Sequence, residues 1–259
     1  MAYISPVLSA ISGAVKKASV ALTRDFNELE HLQNSVHGDN GFAARSLQKV
    51  SGVLQNELAK FKPDYAFVIS SQGTIPANGN CFLISPIDGY ANFAHGNAGF
   101  SISVAMMENH VVSACVVFAP IYDEMFFAER GNGAFKEGFR NLERIRVASQ
   151  KQPEKALIGA NSDIFAKALQ ISKNVLVSGS VAHDLAYVAA GKLDAVVAQN
   201  VAPAELAAGM LLVKEAGGYI FSLGQTDVRS EDLHKVLFGG SIFATNDALK
   251  QKIADKMAK

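Results

Sequence analysis

Residues 81–96 read "CFLISPIDGYANFAHG". An apolar run, Phe82-Leu83-Ile84, stops at Ser85-Pro86. Ile87, Asp88 and Gly89 follow. An apolar strand, a turn and then Asp-Gly is a common way for an α/β enzyme to present a carboxylate from a rigid scaffold. Only one acid stands in this stretch, where metal-assisted chemistry calls for several.

The periodicity on either side fixes the setting. Val7, Leu8, Ile11, Val15, Ala18 and Leu22 recur at three- and four-residue steps, which predicts a helix over 6–28. Leu47, Val50, Leu54 and Leu58 predict a second over 42–60, after a polar "NSVHGDNG" loop at 34–41. Strands are expected at 65–69, 81–85, 99–107, 111–118 and 125–128. "MENHV" (107–111) reads as a hairpin turn, and "RGNGAF" (130–135) as a glycine-rich turn before another short strand. "FRNLERIRVAS" (139–149) closes the first half.

The second half alternates. Strands are expected at 156–160, in "NVLVSGS" up to Gly179, in "DAVVAQ" (194–199), and in "YIFSL" and "SIFATN". Helices are expected over 163–170, 181–193, 203–218 and 246–258. Pro203 at the start and Gly217-Gly218 past the end of the third follow the usual asymmetry of helix termini. Antiparallel hairpins mixed with helices point to a layered α+β fold rather than a doubly wound parallel sheet. The expected organisation is one compact unit of two halves, 1–145 with the PIDG motif and 146–259 with the PAELAAG motif.

Composition narrows the function classes. The 259 residues are 49% hydrophobic, enough for a large core. The 24 basic and 24 acidic residues cancel, so no charge excess argues for phosphate-backbone binding. Cys81 and Cys115 lie in strand-like apolar runs and read as buried thiols in a reducing compartment, not as a zinc site. "MAYISPVLSAISGAVKK" lacks a basic region followed by a continuous apolar core, and no run of about 18 apolar residues occurs, so a cytoplasmic protein without membrane spans is expected.

Several motifs in order then resemble the inositol monophosphatase family, in particular its bacterial SuhB-like branch. "PIDGYANFAHG" resembles the family's D-P-I-D-G-T-x-N-F motif, and "YDEMFFAERGNGAF" the strand and glycine turn after it. "GSVAHDLAYVAAGKLDA" and "PAELAAGMLLVKEAGG" resemble its C-terminal signature, W-D-x-A-A-G followed by E-A-G-G. The resemblance covers roughly residues 5–250. It implies a layered αβαβα sandwich, a homodimer, and Mg²⁺-dependent hydrolysis of a small phosphorylated polyol. Mg²⁺ prefers carboxylate oxygens in tight octahedral geometry, and two or three such ions activate water and neutralise phosphate.

Carried over residue by residue, the family's metal ligands fall on Asp88, Glu205, the Ile87 carbonyl, Ser85 and Ser71. Its G-E-E glutamate pair falls on Ser70 and Ser71, and its water-positioning threonine on Tyr90. The phosphate- and substrate-facing backbone falls on Gly89, Tyr90, Gly179, Ser180 and Val181. An acid that contacts the inositol ring falls on Ala198, and a lid acid on Leu47 or Gly41.

For each position a second reading stands beside the first. Asp88 is a surviving ligand or a turn residue capping N–H groups. Glu205 is a longer ligand or an acid favouring a helix N-terminus. The serines are neutral replacements or a hydroxyl-lined anion pocket. His183 reads as a satisfied core histidine, His95 and His110 are not spaced as ligands, and Asp184 caps or pairs within its helix. The expectation is a phosphatase scaffold with weak or no activity. The alternative is a non-catalytic regulatory protein (a pseudoenzyme), which by resemblance contacts the transcription antitermination machinery.

Overall fold

The structure, a computed structural model, describes residues 4–33, 41–70, 72–138 and 141–258. In chain order the first part comprises α1 (Pro6–Gln33), α2 (Phe42–Phe61), β1 (Ala66–Ile69), β2 (Cys81–Asp88), α3 (Tyr90–Ala94), β3 (Ser101–Glu108), β4 (Val111–Ala119), β5 (Glu124–Glu129), β6 (Gly133–Glu137) and β7 (Leu142–Arg144). A 3-10 turn at Pro153–Lys155 leads into β8 (Ile158–Ala160), α4 (Phe165–Ile171), β9 (Val175–Leu176), α5 (Val181–Ala189) and β10 (Ala195–Ala198). The chain ends with α6 (Pro203–Glu215), β11 (Tyr219–Ser222), α7 (Leu233–Gly239), β12 (Ile242–Thr245) and α8 (Asp247–Met257).

Strand alternation decides how the layers stack. In a strand, successive side chains point to opposite faces. On β2, Phe82 and Ile84 join α1 and α2 on one face of the first sheet. Cys81 and Leu83 join α5 and α6 on the other. That sheet has seven strands in sequence order, β1 parallel to β2 and every later pair antiparallel. The second sheet runs β11-β12-β10-β8-β9. Its Val196 and Ala198 face α5 and α6, whereas Ala195 and Val197 pack with α4 and α8. The result is the expected αβαβα sandwich, with one helix pair shared by both sheets.

Local details differ from the sequence reading at β2 and at two short helices. The strand expected to stop at Ser85-Pro86 continues to Asp88 as a bulged strand. Short helices α3 and α7 were not foreseen, and the segment 34–40 of the expected loop lies outside the described residues. Among the described residues, no helix is long and apolar enough to cross a membrane.

Candidate functional site

The bulge in β2 builds the site. Ser85 pairs with Ser103, and Asp88 pairs with Ser101, so three steps on β2 oppose two on β3. One extra residue in a strand of period two exchanges its faces. Ile87 therefore turns toward α1 and α2. Asp88 turns instead toward α5, against the alternation that Phe82, Leu83 and Ile84 set. Pro86 fits here because it gives the ladder no N–H.

Asp88 meets the first turn of α5. Its Oδ2 accepts from Ser180 Oγ at 2.5 Å and from the Ala182 N–H at 2.8 Å. Ser180 is also the N-cap of α5, its Oγ 3.4 Å from the His183 N–H. Ser101 Oγ lies 3.2 Å from Ser180 Oγ. With Ser180's single proton directed at Asp88, Ser101 is the donor of that pair. Among the described residues the carboxyl has no basic side-chain partner, and burial pushes its pKa up to about 7, with the Glu205 charge adding to the rise. The helix N-terminus and two donors offset part of that cost.

Glu205 sits at the third position of α6. Its Oε2 accepts from the Ala202 N–H at 3.2 Å, and its pKa is raised by burial. Asp88 and Glu205 thus both serve helix N-termini. The Ser85 and Ser103 hydroxyls, opposite each other on the sheet, are buried without hydrogen-bond partners among the described residues. Ser70 has φ of 51° at the end of β1, and its N–H donates to Ile84 O at 2.8 Å. It lines a cavity of about 330 Å³ with Thr74, Ile75, Pro203 and Phe238. Tyr90 is 40% exposed, and Ala198 is buried in β10. Leu47 packs against the α1–α2 core, and Gly41 precedes α2. Ser71 lies outside the described residues. Among the described residues, no three His, Cys, Asp or Glu side chains are grouped so as to hold a metal ion.

The two halves meet at glycines. Gly89 has φ of 88°, and a Cβ there would lie 2.7 Å from Gly99 O and 3.3 Å from Gly179 O. Only glycine admits both the conformation and the approach. Asn92 completes the junction, its Nδ2 donating to Gly99 O and to Ser178 O at 2.5 and 2.6 Å. The sequence marks Asn92 as a motif residue but not as the clamp between these loops. Its partners are main-chain carbonyls, which carry no sequence signal.

Other residues need correction. His183 is buried, but its Nε2 has no hydrogen-bond partner among the described residues. Its ring instead sits 4.2 Å from that of Tyr187 and stacks on Tyr122 at 5.7 Å, and burial lowers its pKa to about 4. Burial raises the Asp184 pKa to about 7, and the Ser178 side chain, in the loop before α5 rather than within the helix, offsets part of that rise. His95 Nδ1 donates to Ala91 O at 2.8 Å.

The sequence pattern described as the inositol monophosphatase family matches residues 4–259. The chain belongs to the inositol monophosphatase family. It is similar to an inositol-1-monophosphatase of Rhizobium meliloti, 34% identical, with 97% of this chain and 96% of that protein covered. A Nus factor SuhB of Xylella fastidiosa is 31% identical, with 88% and 86% covered. Among solved structures, the extragenic suppressor protein SuhB of Bartonella henselae matches with a TM-score of 0.84 at 28% identity, over 99% of this chain and 100% of that one. Within an inositol monophosphatase fold, Asp88, Gly89, Gly179, Ser180 and Glu205 therefore converge at the ends of β2, α5 and α6.

Proposed function

We propose that this chain keeps the scaffold of a phosphomonoesterase and acts as a binding or regulatory protein with weak or no hydrolytic activity. The observation that carries the reading is the engagement of Asp88. Its carboxylate oxygen already accepts from Ser180 Oγ and the Ala182 N–H. A metal ion on that oxygen would compete with those donors.

The donor set does not fit the magnesium that the family implies. Mg²⁺ takes hard, charged oxygens at about 2.0–2.1 Å. The positions matched to the family's acids hold serine at 70, 71 and 85, leaving Asp88 and Glu205. A neutral hydroxyl supplies no charge to offset a dication. Burial raises the pKa of both remaining acids. What these residues do instead is structural: Asp88 and Ser180 lock β2 to α5, and Glu205 ties down the start of α6. The relative named Nus factor SuhB supports a role through contact with a protein partner.

Phosphate release from inositol 1-phosphate with added Mg²⁺ tests the reading. The expected result is no release above buffer for the parent chain, and a gain in the Ser71→Glu, Ser85→Asp double variant. Turnover by the parent comparable to that of the Rhizobium meliloti relative would overturn it.

A further inference from the structure

A groove of about 310 Å³ lies away from the Asp88 site, between the tip of the β3–β4 hairpin, α6 and α7. Its floor is apolar, formed by Val112, Ala207, Met210, Leu211 and Leu237. Val111 and Leu233, 39% and 38% exposed, form its lips. The volume falls at the lower end of the range for small-molecule pockets, about 300–1,000 Å³.

The walls are held in place. His110 has φ of 63°, and its Nε2 donates to Ala77 O at 3.1 Å, which fixes the hairpin tip on the 76–80 turn. On the opposite wall, Asp232 caps α7 by accepting from the Lys235 N–H at 2.9 Å. Lys214, on α6, pairs with Glu231, which also accepts from the Ile220 N–H at 2.6 Å. A pocket built on elements fixed in this way loses little freedom when a ligand enters.

The rim carries charges of both signs, Arg130 and Lys214 against Glu215, and they differ in how they are engaged. Glu215 is the only carboxylate lining the groove, and both its oxygens are engaged, accepting from the Gly131 N–H at 2.9 Å and the Gly133 N–H at 2.8 Å. Lys214 is neutralised by Glu231. Arg130, in the same turn that Glu215 holds, has no hydrogen-bond or ion-pair partner for its guanidinium among the described residues. An apolar floor under a guanidinium that pairs with none of the described residues is complementary to a molecule with an apolar body and an anionic head.

We propose that the groove between the β3–β4 hairpin, α6 and α7 binds a small amphipathic carboxylate, with its chain over Met210 and Leu211 and its head at Arg130. The Arg fork matches a carboxylate in two parallel hydrogen bonds. The site shares no residue with the Asp88 cluster and does not depend on hydrolysis.

The test uses the whole chain with ¹³C-methyl methionine and octanoate as the probe. Octanoate is expected to shift the Met210 methyl resonance saturably, with a dissociation constant of about 1 mM or tighter given its ten heavy atoms. Arg130→Gln is expected to weaken octanoate about five- to tenfold, the worth of one charge-assisted hydrogen bond at a partly open site. Arg130 is exposed, so that substitution leaves the core intact. Absence of a saturable shift in the parent chain overturns the proposal, and so does equal affinity in parent and variant.

Discussion

At Asp88, burial and protonation are linked. Burial raises its pKa from 3.8 to about 7, so between those values the folded protein holds a proton that the unfolded chain releases. Stability therefore rises as pH falls through that window, and is lost as pH climbs through about 7. Asp184 adds a second contribution of the same sign. His183 opposes both. Its folded pKa of about 4 lies below the ordinary 6.5, so its contribution is lost as pH drops from 6.5 toward 4. Asp88→Asn keeps an acceptor for Ser180 and Ala182 and never ionises. We expect it to raise stability at both pH 8.5 and pH 5.5, by on the order of 1 kcal/mol more at pH 8.5, and to match the parent only below about pH 4. Thermal melts at the two pH values check this. An Asp88 that ionised freely would give the same difference between parent and variant at both.

At the scale of elements, the α5–α6 pair is the joint that both sheets share, and its closeness depends on Gly209. A Cβ at Gly209 would stand 2.4 Å from Leu185 Cβ and 2.7 Å from Leu185 Cδ1. Two effects compete on substitution. Alanine in a helix interior is favoured over glycine by about 1 kcal/mol. Overpacking against a neighbour that cannot swing away costs about 1–3 kcal/mol. Leu185 Cβ is fixed to the α5 backbone, so the clash wins, and Gly209→Ala should lower the denaturant midpoint. Combined with Leu185→Ala, it should cost less than the sum of the two single changes, a coupling that a double-mutant cycle measures. Additive effects would mean that the helices part without strain.

The same scale shows what the sequence made legible. Strands β2 to β5 and helices α1, α2 and α6 carry enough residues for their periods to stand out. Helices α3 and α7 span five and seven residues, too few for a periodic signal. The β2 bulge was hidden because Ser85-Pro86 reads as a strand end, yet that bulge aims Asp88. That Ser70, Ser71 and Ser85 stand at the family's acid positions is a reading from motif spacing. The clamp by Asn92 was not legible, since its two acceptors lie 7 and 86 residues away in sequence.

At the scale of the molecule, one apolar cluster runs from the first sheet through α5 and α6 to the second. It includes Leu83 and Val117 from one sheet, Leu185 and Leu212 from the helices, and Val196 and Ile220 from the other. Neither half can expose its inner face without opening this cluster. Burial of such a layer contributes roughly 25 cal/mol per Å², and losing it all at once is what makes unfolding cooperative. Cys81 and Cys115 belong to the cluster and are buried free thiols. Burial pushes the Cys81 pKa up to about 11 and that of Cys115 further. Since only the thiolate reacts, both are doubly protected in the folded state. With no Trp in the chain, the thiols are the natural probe of the middle layer. We expect their labelling by a disulfide reagent and the loss of far-UV circular dichroism to follow one urea transition with the same midpoint. An earlier transition in either signal would show that residues 1–145 and 146–259 open separately, against a single folding unit.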